Sequence, residues 1–355
     1  MSFERQVTFW VAVLGVLAAA LWLLNDILMP FVAGMALAYL LDPLARRLVQ
    51  FGVGRTAAAL IIIALFVIAF VLLVILIAPL LAAELSAFIE RIPGYVTRLQ
   101  SLVTDPNRPW LSKIVGERLP DAGKSASGLV AQGATWLAAF VASLWSGGKA
   151  LISLFSLLVI TPVVAFYLLC DWDRMIAAID GAVPLPHRDT VCGLAREIDQ
   201  AIAAFVRGQA GVCLILGAFY AVGLMLIGLN FGFLIGFIAG LVSFIPYVGS
   251  LAGLLVAVAV AVAQFWPEWM PILVVAGIFI VGQALEGNVL TPKLVGEKVG
   301  LHPVWLMFAL LAFGYLFGFV GLMVAVPLAA AAGVLVRFAL RQYLASPFYT
   351  GGEPR

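Results

Sequence analysis

The sequence predicts an all-α integral membrane protein with about eight membrane segments, broken or re-entrant helices and a small extracytoplasmic amphipathic helical region. Of its 355 residues, 64% belong to the AVILMFWYC set, only 11% are charged, and the mean hydropathy is +1.14. Soluble globular proteins carry about 25% charged residues, so this chain cannot cover a water-exposed surface of its size. The composition therefore excludes an ordinary soluble enzyme.

Charge-free windows locate the segments, because a helix needs about 20 apolar residues to cross a hydrocarbon core of about 30 Å. The first window follows Arg5, but it is longer than a signal-peptide core and further apolar segments follow it, so we interpret it as an uncleaved span. Two windows exceed one crossing, and we expect turns near Asn230 and near Gly314, Gly318 and Gly321 to divide them. The windows cover 6–25, 27–41, 56–83, 150–170, 208–267, 269–285 and 299–336.

The basic residues of short loops predict the orientation of the chain. The loop 42–56 holds Arg46, Arg47 and Arg55 against one acid, Asp42. The loop after residue 285 and the C-terminal end are also basic, so we expect both termini to be cytoplasmic. The predicted parts are N-terminal membrane helices at 1–83, an extracytoplasmic amphipathic region at 84–149, a membrane helix at 150–170, a cytoplasmic amphipathic segment at 171–207, a C-terminal membrane bundle with broken helices at 208–340 and a cytoplasmic tail at 341–355.

The two polar segments carry apolar residues at helical spacing. In 84–149 this stripe predicts either a subunit contact in a homo-oligomer or an amphipathic hairpin over the mouth of its own protomer. The stripe in 171–207 predicts a helix that packs along the membrane face. The first stripe contains Leu85, Phe88, Ile92, Tyr95, Leu99 and Leu102, and the second contains Leu194, Ile198, Ile202 and Phe205.

Ionisable groups at membrane depth are candidate functional residues, because each costs at least about 2.5–3.5 kcal/mol on insertion scales. Glu286 is the strongest candidate, since Gln283 and Asn288 add polar groups that a packing segment does not need. Asp42 is a second candidate. Its alternative is an interfacial residue that pairs with Arg46 at i,i+4 spacing.

The segment 243–250 interrupts the longest charge-free window, far from either charged end. Pro246 removes a helix hydrogen bond, and Gly249 permits backbone angles that a helix interior excludes. Broken helices line solute or ion pathways in many transporters, although a simple proline kink has the same sequence pattern. The sequence therefore predicts a transport pathway or ion-binding site formed by Glu286, Gln283, Asn288, Pro246, Ser243, Tyr247, Gly249 and Asp42.

Several function classes have no support in the sequence. Three cysteines and two histidines supply neither a disulfide framework nor a metal cluster, so we expect no metal and no cofactor. The chain lacks GxxxxGK[ST], HExxH and GxSxG motifs, and we expect no enzymatic activity. A net charge of +2 does not indicate a nucleic-acid partner. A secondary transporter or channel remains, or a membrane scaffold that assembles partners through 84–149.

Short motifs run in order from about residue 30 to 330, and by these motifs the chain resembles the autoinducer-2 exporter (AI-2E) family, also called PerM-like permeases. The motifs are Pro30-Phe31, Ala38 to Pro43, Thr161-Pro162 to Asp171, Arg207 to Ala210, Phe244 to Gly249, Glu286 to Lys293, Gly300 to Pro303, and Phe317-Gly318 with Ala325 to Leu328. The resemblance implies a multi-pass, homo-oligomeric protein of the bacterial inner membrane, in contact with lipid. It also implies export of autoinducer-2-like molecules or, in some relatives, exchange of sodium or lithium for protons.

We therefore expect a secondary transporter that exports a small hydrophilic solute, coupled to ions. Glu286 is the expected protonatable or cation-binding group, because apolar surroundings favour the neutral form of a carboxyl. The alternative is an antiporter of monovalent cations and protons, in which Asp42 and Glu286 matter more than a solute pocket. A scaffold without transport is the remote alternative.

Overall fold

The computed structural model describes residues 15–16, 23–103, 148–295, 302–346 and 349. Every regular element in these ranges is helical. A single 3-10 turn, Leu185–His187, and one π-helix, Glu286–Val295, accompany the α-helices of this described part. The α-helices are α1 (Asn25–Gln50), α2 (Arg55–Val103), α3 (Gly148–Ala182), α4 (Arg188–Leu226), α5 (Gly232–Val242), α6 (Val248–Phe265), α7 (Trp269–Leu285) and α8 (Pro303–Leu344).

Six helices within the described residues are long and apolar enough to cross a membrane, which confirms an all-α integral membrane protein. In the span Arg55–Ile77, only 6% of the most apolar window is buried, as lipid-facing side chains require. The total of eight segments stays a prediction, because most of 6–25 lies outside the described residues. The region 104–147 also lies outside them, and Phe88 is the one residue of the first predicted stripe whose side chain is described.

The chain forms two compact units. Unit 1 comprises 1–67, 155–209 and 292–355, and unit 2 comprises 68–154 and 210–291. In unit 1, α1 packs against the beginning of α2 and against α3 through fully buried alanines at 45, 59 and 165. Small side chains at these contacts let helix backbones approach closely, which is how membrane helices gain packing energy in lipid.

Helix α8 in unit 1 is broken in its interior. Gly318 adopts φ 56° and ψ −134°, angles that a side chain would strain. Beyond this break the chain folds back, because a Cβ added at Gly321 would lie 1.8 Å from the carbonyl oxygen of Phe313. A Cβ added at Gly314 would lie 2.8 Å from Leu322 Cδ2. The turn predicted in this glycine-rich stretch is therefore confirmed, and α8 is a hairpin of two helical pieces.

The connection from α3 to α4, also in unit 1, is tied by Asp180. Arg188 donates from two nitrogens to its carboxylate, and Cys192 Sγ donates to Oδ1. These hydrogen bonds, chiefly those from Arg188, lower the pKa of Asp180 to about 2. The carboxyl therefore stays ionised at physiological pH, and the ion pair persists.

In unit 2, the core is built from α4, α5, α6 and α7 around the fully buried ring of Tyr220. Helix α5 lies directly on α4 at two glycines. A Cβ added at Gly236 would lie 2.3 Å from the Ala221 nitrogen, and one at Gly240 would lie 2.1 Å from Gly217 Cα. No side chain fits at such distances, so the glycine stripe of α5 is what permits this packing.

The turn predicted near Asn230 is confirmed between α4 and α5, and Gln264 of α6 secures it. The Gln264 side-chain oxygen accepts a hydrogen bond from the Asn230 backbone nitrogen at 2.8 Å. Its Nε2 donates to the carbonyl oxygen of Gly228, also at 2.8 Å. The Gln264 side chain therefore supplies hydrogen-bond partners to two backbone groups of the turn, the Asn230 N–H and the Gly228 carbonyl, which lie outside the helices.

Replacing Gln264 with leucine is expected to lower the free energy of unfolding by about 1–3 kcal/mol, because both backbone groups lose their partner. Thermal unfolding of the purified protein in detergent measures the change. Gln264→Glu keeps the acceptor for Asn230 and should lose less stability than Gln264→Leu. Equal melting temperatures for Gln264→Leu and the native protein would show that solvent replaces these bonds at no cost.

Candidate functional site

The predicted interruption of the longest charge-free window is a real break between α5 and α6. After α5 ends, Ser243 Oγ donates to the Ala239 carbonyl oxygen at 2.8 Å. Tyr247 adopts a left-handed φ of 67°, and α6 begins at the next residue. A Cβ added at Gly249 would lie 2.2 Å from the Ser243 nitrogen, so the first turn of α6 packs directly on the end of α5.

A chain of polar side chains leads from this break to the beginning of the π-helix. Ser250 Oγ, in the first turn of α6, donates to Gln283 Oε1 at 2.5 Å. Gln283 Nε2 in turn donates to Glu286 Oε2 at 3.5 Å. Ser250 is 4% exposed and Glu286 7% exposed. We call Ser250, Gln283 and Glu286 the buried polar chain.

The structure does not bring every predicted residue to the buried polar chain. Asn288 is exposed and donates back to the Ala284 carbonyl oxygen at 3.0 Å. The Tyr247 side chain is 45% exposed, and Pro246 contributes the break rather than a polar group. The functional roles of these three residues stay predictions.

Glu286 also begins the π-helix, which runs to Val295 and contains Pro292. A π-helix pairs each N–H with the carbonyl five positions back, and such segments are frequent at functional sites. Here the change from the α-helical to the π-helical hydrogen-bond pattern falls at Glu286, the one buried carboxyl group of the described residues. No sequence pattern in this segment predicted the π conformation.

Sequence reasoning missed Tyr220, which packs against α7 close to Gln283 of the buried polar chain. Its ring is fully buried and stacks on Phe279 at a centroid distance of 4.5 Å. Gly282, one turn before Glu286, makes room for it, since a Cβ there would lie 2.5 Å from the Tyr220 hydroxyl. That hydroxyl has no hydrogen-bond partner among the described residues. The feature of the sequence that could have pointed to Tyr220 is its polar hydroxyl group within a charge-free apolar window.

Removing the hydroxyl in Tyr220→Phe is expected to stabilise the substrate-free protein by about 1 kcal/mol, because an unsatisfied buried polar group costs about 1–3 kcal/mol. The melting temperature in detergent measures this gain. Tyr315→Phe is the matched control, since Tyr315 is 92% exposed and should show no change. A lower melting temperature for Tyr220→Phe would mean that the hydroxyl is already satisfied by water.

Asp42 lies in unit 1 and shares its carboxylate among three arginines. Arg46 Nε contacts both carboxylate oxygens, at 3.0 and 2.8 Å. An Arg207 terminal nitrogen lies 3.5 Å from Oδ2, and one of Arg55 lies 3.7 Å from Oδ1. The pairing with Arg46 at i,i+4 is thus observed, while the role of Asp42 in transport stays a prediction.

A second polar contact in unit 1 joins α1 to α4. The Tyr39 hydroxyl donates to Asp199 Oδ1 at 2.8 Å, and Arg207 Nε donates to the Tyr39 carbonyl oxygen at 2.7 Å. Between α1, α3 and α4 these residues border a cavity of about 370 Å³. Sequence reasoning used only the apolar stripe of 171–207 and missed that Asp199 and Arg207 face α1.

One family profile and three relatives match most of the chain. The profile of the AI-2E family transporter matches residues 11–341. YrrI of Bacillus subtilis, provisionally named a transport protein, is 28% identical over 95% of this chain and 97% of its own length. PerM of Escherichia coli K12, provisionally named a permease, is 29% identical over 90% of both chains. TqsA of the same strain, named an AI-2 transport protein, is 24% identical over 89% of this chain and 86% of its own.

Proposed function

Because this chain belongs to the AI-2E family of transporters and is itself a membrane transporter, we propose that it exports a small hydrophilic solute of the autoinducer-2 type, coupled to ions. The observation that carries the proposal is the buried polar chain of unit 2. Its members lie where α6 begins and where α7 passes into the π-helix, so two interrupted helices present polar groups at one place. Interrupted helices of this kind bind solute and coupling ions in many transporter folds.

The energetics of the buried polar chain favour a functional role over a structural one. A carboxyl group at membrane depth costs several kcal/mol, and Glu286 has an amide rather than a basic residue beside it. A packing role would be served better by an apolar side chain of the same size. A carboxyl that takes up and releases a proton or a cation explains why this cost is tolerated.

The solute class rests on the relative TqsA, which is named an AI-2 transport protein. We further propose that the protein lies in the bacterial inner membrane with both termini cytoplasmic, as the basic short loops support. The alternating apolar spacing of the stripe in 84–149 supports a homo-oligomer, whereas its described member Phe88 packs against Phe231 of the same protomer, as the alternative hairpin predicts. Deletion of 84–149 should then change the oligomeric state of a transporter. If the protein is instead a scaffold that assembles partners through this region, the same deletion should abolish that assembly.

The second candidate is an antiporter of sodium or lithium and protons, which one observation favours. Glu286 is a buried carboxyl group at one end of the buried polar chain, and hard monovalent cations prefer oxygen ligands. In this candidate the ion is the cargo and no solute crosses. A variant lacking both Asp42 and Glu286 would then transport no cation.

Flux from sealed proteoliposomes tests the proposal. Vesicles carry either trapped autoinducer-2 or an internal pH indicator, and sodium, lithium, potassium or choline is added outside under an imposed pH gradient. Release of the trapped molecule, faster than from protein-free vesicles and changed by the gradient, is the expected result. Cation-dependent proton flux without release would establish the antiporter instead. Neither flux, from sealed vesicles that contain folded protein, would overturn both.

A further inference from the structure

The cavity of unit 1 has the size and lining of a small-molecule site. Its volume of about 370 Å³ falls at the lower end of the range of about 300–1,000 Å³ that is typical of ligand pockets. Helices on three sides form its walls, and both polar and apolar groups face it. The aliphatic part of the lining comprises Met35, Ala38, Pro43, Leu168, Leu169, Ala203 and Ala204.

The charges of this lining cancel. It contains two carboxylates, Asp42 and Asp199, and two guanidinium groups, Arg46 and Arg207. Both arginines already contact Asp42, and Arg55 adds a third positive charge to that carboxylate from outside the lining. An anion therefore meets arginines that are already paired with Asp42, and a cation at Asp199 meets the positive charges of Arg46 and Arg207 in the same lining, so the desolvation of either ion is poorly compensated. A ligand without charged groups meets no such cost.

Hydrogen-bond donors and acceptors nevertheless lie side by side in the cavity. Tyr39 occupies one acceptor position of Asp199, and a carboxylate offers about four. Arg207 uses its Nε on Tyr39 and one terminal nitrogen on Asp42, and a guanidinium carries five N–H donors. A hydroxyl group both donates and accepts, so neighbouring hydroxyls of one molecule can bridge Asp199 and Arg207.

An aromatic residue completes the lining. Trp172 of α3 borders the cavity and meets the Tyr39 ring edge-on at a centroid distance of 5.9 Å. Its indole supplies a large, rigid apolar surface with one N–H donor, which suits a ring that has both C–H and O–H groups. Gln200 adds an amide that can donate and accept.

From this lining we infer that the cavity of unit 1 binds a neutral, hydroxyl-rich ring molecule such as a sugar, held by Asp199, Arg207 and Gln200 against Trp172. Taken together with the proposed function, on which this step rests, the cavity is the cytoplasmic loading site for the exported solute. A zwitterion is the competing ligand, and it would have to replace the ion pairs of Asp42.

Isothermal titration calorimetry on the full chain in detergent tests this inference, with D-ribose, D-ribose 5-phosphate and glycine betaine as probes. We expect D-ribose to bind at least about tenfold more tightly than either charged probe, a difference of about 1.4 kcal/mol. Gln200→Leu and Trp172→Leu should each weaken ribose binding severalfold. Trp305→Phe, at a 63% exposed position outside the cavity lining, should leave it unchanged.

Melting temperatures show which of these variants remain folded, and Gln200→Leu keeps the test valid if Trp172→Leu fails to fold, because Gln200 is exposed. Preference for either charged probe, absence of heat with ribose, or equal binding by Gln200→Leu and native protein would overturn the inference. Native protein in sealed vesicles separates the inference from the proposed function. Ribose binding by native protein that releases no trapped solute would refute export and leave the cavity assignment intact.

Discussion

Replacing Glu286 with glutamine is expected to reduce ion-coupled flux at least about tenfold, equivalent to about 1.4 kcal/mol in the rate-limiting barrier, without loss of folded protein. Glutamine keeps the size of the side chain and can still pair with Gln283, so the surrounding packing changes little. It cannot bind and release a proton or carry a negative charge for a cation. Flux into or out of sealed proteoliposomes, under an imposed pH gradient, measures the loss.

Glu268→Gln is the matched control for this experiment. Glu268 is an exposed acid immediately before α7, and its neutralisation removes the same charge without touching the buried polar chain. We expect native flux in this variant. If Glu286→Gln retains both the rate and the pH dependence of the native protein, Glu286 is a packing residue and the coupling group lies elsewhere.

The substitution with the largest expected effect on folding is Gly240→Ala. Its added Cβ would lie 2.1 Å from Gly217 Cα and 2.4 Å from the Gly217 nitrogen. These are backbone atoms of α4, so relief requires a shift of a whole helix rather than a side-chain rotation. Gly240→Ala should therefore cost about 3 kcal/mol or more, the upper end for overpacking, and unit 2 should fail to assemble.

The reciprocal substitution provides the control, because it adds the same methyl group to the other side of the same contact. A Cβ at Gly217 would lie 3.6 Å from Gly240 Cα, an ordinary van der Waals distance. Gly217→Ala should fold normally. Monodisperse yield in detergent and melting temperature compare the two variants, and equal behaviour would mean that α5 does not lie on α4 in this register.

The elements that were predictable from the sequence are those with local causes. The break at 243–250 follows from Pro246 and Gly249, whose backbone preferences act within a few residues. Gln283 and Glu286 are three positions apart, so they share a helix face and their contact could be foreseen. By the same spacing rule, Asn288, two positions after Glu286, does not share that face.

The contacts that could not be predicted join residues distant in the chain. Arg46 follows Asp42 by four positions, and its pairing was open to sequence reasoning. Arg207 reaches Asp42 from 165 positions away. Tyr220 packs against α7 because Gly282 lacks a side chain, which is a property of packed helices rather than of a motif. Spacing within one segment contains no information on which helices become neighbours.

The hairpin in α8 turns the second piece of this helix back along the first. Its first piece, Pro303–Phe317, is about 22 Å long at 1.5 Å per residue, less than the hydrocarbon thickness of about 30 Å. The piece that returns, Phe319–Leu344, is about 39 Å long, so it leads back past the level at which α8 began. Because one piece runs out and the other runs back, the two together add no net crossing of the membrane. We therefore expect His302 and Arg341 to lie at the same membrane face.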